Sequence, residues 1–360
     1  MATSRRLLLS SVPLVAVGLL SACTGSSRSA PSDRPEPGAE AAPADTETLT
    51  SGLQAPWSIA FHGQTSLLSE RDTARVLELT TDGATREVGV IDGVTPGGEG
   101  GLLGLAAHEG MLFSYATTDS GNRIERRALA GAPGQLALGA PEVLLDGIPS
   151  AANHNGGRLK IGPGGMLFAT TGDAGDRRAA QDPDSLAGKI LRLTPDGAVP
   201  EDNPFPGSPV FSYGHRNPQG LAWTADGQLV ASEFGQNTWD ELNLIEPGAN
   251  YGWPDVEGIG GQEGLTDPLL QWSPAEASPS GIAIQDGTVF IACLRGQRLR
   301  AVPLADPQAQ TELLVEEVGR LRDAVIAPDG SLCVLTNTTD GRGDPAPNGD
   351  RVLRVEVTGG

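Results

Sequence analysis

The sequence predicts an all-β protein, a six-bladed β-propeller of four-stranded antiparallel blades over residues 48–358. Three observations carry this expectation. A unit of apolar strand, turn and second apolar strand recurs six times. Asp-Gly pairs sit in the turns of the later copies, where they are strong hairpin signals. Gly (49) and Pro (28) are so abundant that long uninterrupted helices are excluded.

The copies run in order along the chain. The first starts at Pro56-Trp57-Ser58-Ile59-Ala60-Phe61 and continues through Ser66 to Glu70 and Arg75 to Leu79. The second holds Gly101 to Ala106 and Met111 to Tyr115, and the third Gly157 to Ile161, Met166 to Thr170 and Lys189 to Leu193. The fourth and fifth turn at Asp226-Gly227 and Asp286-Gly287, and the last at Asp329-Gly330. A spacing of about 40 to 65 residues suits one four-stranded blade per copy. A lone blade cannot bury both faces, so the copies must pack radially on one another. A two-sheet sandwich would also give short strands, but not six similar units. Propellers bind at the mouth of the central channel, on loops from several blades. The longest insertions, Gly172 to Gly188, Pro195 to Gly214 and Gly248 to Pro279, mark that face.

The chain of 360 residues carries a formal charge of −20. That balance argues against nucleic acid and against docking on anionic lipid by charge, while it supplies carboxylates for hard cations. Arg5 and Arg6 precede the apolar run Leu7 to Leu20, and Leu20-Ser21-Ala22-Cys23 follows. A charged start, a short apolar core and a small-residue cleavage site make an export signal over residues 1–22, too short to span a membrane comfortably. The segment before Cys23 resembles a bacterial lipobox, which makes Cys23 the lipidated first residue of an exported protein held to the outer face of the cell membrane by lipid alone. The arginine pair resembles a twin-arginine export signal. Residues 23–47, rich in Ser, Ala, Pro and acids, read as a disordered tether. Cys293 and Cys333 lie in apolar strand-like runs and read as buried thiols, with pairing as the alternative in an oxidising compartment.

Four segments concentrate chemistry. Asn153-His154-Asn155-Gly156-Gly157 sets a histidine among glycines that allow a tight backbone around it. Gly214-His215-Arg216-Asn217-Pro218-Gln219 packs an imidazole, a guanidinium and two amides together, as a polyanionic or quinone ligand would use. Glu233 to Glu241, followed by Asn250-Tyr251-Gly252-Trp253-Pro254, offers carboxylates, amides and carbonyls to calcium. Arg320 and Arg322 alternate on a strand and share a face, suited to carboxylates.

Together these segments resemble the glucose/sorbosone dehydrogenase family, whose soluble members are PQQ-dependent aldose dehydrogenases. The resemblance also rests on Gly98 to Gly104, Thr171-Gly172-Asp173-Ala174-Gly175, Ala187 to Arg192 and Asp340-Gly341-Arg342-Gly343, all in family order. It implies a six-bladed propeller with His154 as catalytic base. It implies that Arg216, Asn217, Gln219, Arg295, Arg320 and Arg322 contact PQQ, with Arg216 also stabilising charge during the reaction. The carbonyls of Gly235 and Gln236 match ligands of a calcium ion held against the cofactor. Glu241 and Tyr251, beside Asp240, resemble a second, structural calcium site. The implied reaction oxidises an aldose at its anomeric carbon to a lactone by hydride transfer to PQQ, with an external electron acceptor reoxidising the cofactor. Short loops after Gly248 suggest a monomer with an open site.

The departures from the family pattern are local. Asn153 stands where glucose-oxidising members often carry an acid. Arg177 and Arg178 stand where a substrate-binding Gln can occur, with Gln181 near enough to substitute. A non-catalytic cell-surface binding propeller that has lost PQQ use is the alternative reading. A calcium-dependent lactone hydrolase would need a ring of channel carboxylates that the sequence does not reveal.

Overall fold

The computed structural model describes residues 44–357. The export signal, Cys23 and most of the tether lie outside the described residues. The chain enters on β1 (Ala44–Leu53). The first blade is β2 (Pro56–His62), β3 (Thr65–Glu70), β4 (Arg75–Leu79) and β5 (Thr85–Val90). The second is β6 (Leu102–His108), β7 (Met111–Thr118) and β8 (Gly121–Ala130), with the short β9 (Ala137–Leu138) beside β8 and then β10 (Glu142–Ile148). The third is β11 (Leu159–Ile161), β12 (Leu167–Thr171), β13 (Lys189–Leu193) and β14 (Val210–Tyr213). The fourth is β15 (Pro218–Trp223), β16 (Leu229–Glu233), β17 (Asp240–Ile245) and β18 (Leu270–Trp272). The fifth is β19 (Pro279–Gln285), β20 (Thr288–Cys293), β21 (Arg298–Pro303) and β22 (Thr311–Leu313). The sixth is β23 (Leu321–Ile326), β24 (Leu332–Thr336) and β25 (Asp350–Val357), completed by β1.

The hairpins follow from local sequence. β19 and β20 are joined by Asp286 and Gly287 alone, with φ of 48° and 75°. Two positive φ values define the turn that matches strand twist, and Asp-Gly supplies them with little strain. The closure was not visible in the sequence. β1 pairs antiparallel with β25 from Ala44↔Val357 to Leu53↔Asp350, so the first strand finishes the last blade. Residues 44–47, assigned to the tether by composition, are therefore part of the propeller. Their sequence Ala-Asp-Thr-Glu has no apolar alternation, and the ladder with β25 orders them instead.

Burial is radial, as six stacked units require. Six apolar clusters form, one at each interface between neighbouring blades. Phe113, Tyr115 and Ile124 of the second blade meet Leu159, Leu167 and Leu191 of the third. Leu68 and Leu77 of the first meet Val325 and Leu335 of the sixth, which closes the ring. Cys293 and Cys333 are buried free thiols, and burial pushes the Cys293 thiol up to about 12. Among the described residues, no helix is long and apolar enough to cross a membrane.

The first strands of the blades, β2, β6, β11, β15, β19 and β23, touch in that order around the channel and back to β2. In five of the six, the pairing register slips near the strand's start, as between Pro56 and Ser58 or Leu321 and Asp323. Bulges re-aim side chains at strand ends. The chemistry-bearing segments lie at this same end of the strands.

Candidate active site

His154 lies just before β11 with a φ of 59°. Backbone packing holds it in this left-handed conformation. A Cβ on Gly172 would sit 1.9 Å from the His154 carbonyl oxygen, so only glycine lets β12 approach. The His154 amide donates to Glu99 Oε2 at 2.9 Å. Glu99 in turn accepts from Arg342 at 2.8 Å.

The ring is oriented from below. His154 Nδ1 lies 2.7 Å from Asp173 Oδ1, and the Asp173 side chain is fully buried. Gly175 N–H donates to the same oxygen at 2.8 Å, and Trp253 Nε1–H to the other at 2.8 Å. Burial opposes charge on Asp173, but the hydrogen bonds from His154, Gly175 and Trp253 outweigh it and hold the carboxyl below the usual carboxylate range. An ionised Asp173 accepts only, so Nδ1 must donate, and in the neutral ring this leaves the lone pair on Nε2. Among the described residues nothing bonds to Nε2, and the side chain is 15% exposed. Asn153 is exposed beside it. The acid that the sequence seemed to lack next to the histidine is thus supplied by Asp173 from the end of β12. Gly172-Asp173 was visible as a motif, but its pairing with His154 depends on how β11 and β12 fold together.

The neighbouring loops supply donors. Asn217 is buried, its Oδ1 accepting from Gly156 N–H at 3.0 Å and from Gln219 Nε2 at 3.2 Å. Gln219 Oε1 accepts from Arg322 at 3.3 Å. Arg320 and Arg322 do face one side, and both approach Asp340, at 3.1 and 3.6 Å. Arg216 donates to the Phe234 carbonyl at 3.2 Å, and its guanidinium lies 5.5 Å from the Trp253 ring centre. Arg295 is exposed on the rim, next to Leu294, which lines the same depression as Trp57, Gln219 and Arg322. Beneath this floor, Arg158 and Asp323 form a fully buried pair at 2.8 Å that ties the third blade to the sixth. Arg158 also lies 4.3 Å from the Trp57 ring.

The donor set fits a planar polyanionic quinone. Arg216 Nε and Asn217 Nδ2 are buried and have no hydrogen-bond partner among the described residues. Buried unsatisfied donors call for a partner, and these two lie in the His215 to Gln219 segment that the family resemblance assigns to PQQ. Gln219 links Asn217 to the guanidinium of Arg322, beside which Arg320 shares Asp340.

For calcium the fit is uneven. Gly235 is required by space, because a Cβ there would meet the Trp239 carbonyl at 1.7 Å. Glu257 Oε1 accepts four successive amides, from Gln236, Asn237, Thr238 and Trp239, and fixes the loop. The carbonyls of Gly235 and Gln236 accept no hydrogen bond among the described residues, as a cation site would leave them. Asp240 instead spends both oxygens on backbone, accepting from Gly235 at 2.8 Å and Ser278 at 2.6 Å, and braces the loop. Tyr251 commits its hydroxyl to the Leu244 carbonyl, donating at 2.6 Å, beside the depression lined by Glu233, Glu241 and Glu257. Burial, then the neighbouring Glu233, pushes the Glu241 carboxyl up to about 8. A cation there would relieve that repulsion. Among the described residues no compact group of three His, Cys, Asp or Glu side chains forms a metal site.

Gln181 takes another part. Its amide donates to Asn250 at 3.0 Å and to the Trp253 carbonyl at 2.7 Å, and accepts from Asn250 at 2.8 Å. It braces the Asn250–Trp253 loop and has no donor left for a sugar.

Comparison with known proteins agrees with the six-bladed fold. The glucose/sorbosone dehydrogenase profile matches residues 53–345. The aldose sugar dehydrogenase YliI of Escherichia coli is 30% identical over 346 residues, 84% of this chain and 92% of that protein. The quinoprotein glucose dehydrogenase B of Acinetobacter calcoaceticus is 34% identical over 253 residues, 59% of this chain and 53% of that one. The solved PQQ-bound form of an aldose sugar dehydrogenase from Streptomyces coelicolor is 48% identical, with a TM-score of 0.83 over 88% of this chain and 99% of that one.

Proposed function

The chain belongs to the glucose/sorbosone dehydrogenase family, and from that premise we propose that it oxidises aldose sugars at the anomeric carbon to lactones, with PQQ as oxidant and His154 as general base. The observation that carries this reading is the His154–Asp173 pair, which leaves one imidazole nitrogen free, directly before Asn155 and Gly156 in the lining of the depression that also holds Gln219 and Arg322. Arg216, Asn217, Gln219, Arg295, Arg320 and Arg322 would hold PQQ, and the carbonyls of Gly235 and Gln236 would hold calcium beside it. When bound, PQQ supplies the acceptor for the hydride from the anomeric carbon, and calcium the Lewis acidity that polarises it.

The chain's own residues do the rest. His154 Nε2 takes the proton of the anomeric hydroxyl. Asp173 fixes the ring's tautomer and stabilises the imidazolium that results. Glu99 and Gly172 fix the backbone from which the ring projects. Arg216, half-buried with its Nε buried and unsatisfied, would stabilise negative charge developing beside it.

The test is reconstitution. PQQ and calcium added to purified protein should give aldose-dependent reduction of an artificial dye, and chelation should abolish it and lower the melting temperature. A protein that neither binds PQQ nor reduces dye with any aldose would point to the binding-propeller alternative. Cys23 is the proposed membrane anchor. Cys23→Ser should move the protein from the membrane to the soluble fraction, and a wild type that already fractionates as soluble would contradict this.

A further inference from the structure

The mouth of the site carries positive charge that the proposed reaction does not use. Arg177 and Arg178 begin the 3-10 turn Arg177–Gln181, directly after the loop that supplies Asp173. Both side chains are exposed, and neither forms an ion pair among the described residues. Several other guanidiniums nearby are matched: Arg342 meets Glu99 at 2.8 Å, Arg71 meets Asp72 at 2.6 Å, and Arg320 and Arg322 share Asp340, while Arg216, 5.5 Å from the same Trp253 ring, is held by the Phe234 carbonyl. In a chain of net charge −20, two unmatched cations side by side run against the average surface.

Arg177 is also placed. Its guanidinium lies 5.4 Å from the Trp253 ring centre. The same indole donates to Asp173, whose other oxygen receives His154 Nδ1. One aromatic ring therefore separates Arg177 from the carboxylate that orients the base. Stacking on an aromatic face leaves the edge of a guanidinium free for a planar, bidentate partner. If His154 takes the anomeric end of a sugar, a cation on the rim faces the other end.

We propose that Arg177 selects aldoses that carry an anionic group remote from the anomeric carbon, uronic acids first and sugar 6-phosphates second, over their neutral counterparts. The carboxylate would sit against Arg177 while the anomeric hydroxyl meets His154. The assignment rests on the reading of the site as an aldose site.

The experiment compares wild type, R177Q and R177K, each loaded with PQQ and calcium, on D-glucuronate, D-glucose 6-phosphate and D-glucose. In wild type kcat/KM should be higher for the charged sugars. R177Q should lower the charged-to-neutral ratio by about twofold to fivefold, the upper range of one exposed ion pair. The change should lie in KM of the charged sugar, shrink as salt rises and be largely restored in R177K. A carboxylate contact predicts a larger drop for glucuronate than for the phosphate. Calorimetric titration of the same proteins with each sugar gives a readout that does not depend on turnover. Absence of oxidation would sink the oxidation reading alone, and the calorimetry would still decide the role of Arg177. The proposal is overturned if charged and neutral sugars bind alike in wild type, or if R177Q leaves the ratio unchanged. It is also overturned if R177Q raises only the KM of the electron acceptor, which would make this rim a dock for an acidic redox partner.

Discussion

Two histidines in this propeller are built alike and used differently. His154 and His215 each precede the first strand of a blade, and each sets Nδ1 against a carboxylate, Asp173 at 2.7 Å and Glu233 at 2.8 Å. The rings differ at the other nitrogen. His215 Nε2 is closed by Ser212 at 2.8 Å, and its ring is fully buried and stacked on Tyr251 at 4.7 Å. His154 Nε2 is open to the mouth of the site. A histidine–carboxylate pair is therefore not by itself a catalytic unit. In the proposed reaction it is the free nitrogen of His154 that would take the proton, whereas the satisfied nitrogen of His215 leaves that pair a strut. Glu233 shows the strut's purpose, because it also accepts the backbone amides of Arg216 and Asn217 and so positions the loop that carries the proposed PQQ donors.

The comparison breaks most visibly at His154. His154→Ala should lower sugar oxidation by about 10²- to 10⁴-fold and leave the melting temperature nearly unchanged, as dye reduction and a thermal melt on one preparation would show. A drop in stability with little loss of turnover would reverse the two roles.

His215→Ala should do the opposite. It strands Ser212 and Glu233 in a buried site, and we expect it to lose about 2–4 kcal/mol of stability in urea unfolding. Turnover per folded molecule should stay within about tenfold of wild type. An unchanged unfolding midpoint would show that the buried network is not a strut.

Asp173→Asn sharpens the contrast further, since it keeps the shape and removes the charge that fixes the tautomer. A loss of about tenfold to a hundredfold in kcat, with KM little changed, is expected. The pH dependence gives an independent readout. The folded-state pKa of Asp173 is depressed, burial being outweighed by its hydrogen bonds. Its contribution to stability is therefore present above the unfolded value, ~4, and lost as pH falls through the lower folded value. Asp173→Asn should flatten that acid limb, and identical acid-unfolding curves would contradict the assignment.

Much of this was legible in the sequence, and the limits have physical causes. Strand periodicity and Asp-Gly turns are local, so the six blades could be counted from residues alone. β1 was missed because its pairing partner is at the far end of the chain. His154 stood out because Gly156 and Gly157 crowd beside it, and the Arg320–Arg322 alternation placed both side chains on one face, as Asp340 confirms. Asp173 as the partner of His154, and the Arg158–Asp323 tie beneath the floor, are contacts between separate strands and have no local signature. Tyr251 and Gln181 were recognised as residue types suited to ligands, but the structure commits the Tyr251 hydroxyl and the Gln181 amide to neighbouring loops.

The central claim is that the open nitrogen of His154, and not the histidine–carboxylate pair as such, performs the proton transfer. Single-turnover reduction of bound PQQ by an aldose, followed in wild type, His154→Ala and His215→Ala at a temperature where all three are folded, tests it most directly. The account predicts a loss of about 10²-fold or more in His154→Ala and a rate near wild type in His215→Ala. Equal rates in wild type and His154→Ala, or equal losses in both variants, would contradict it.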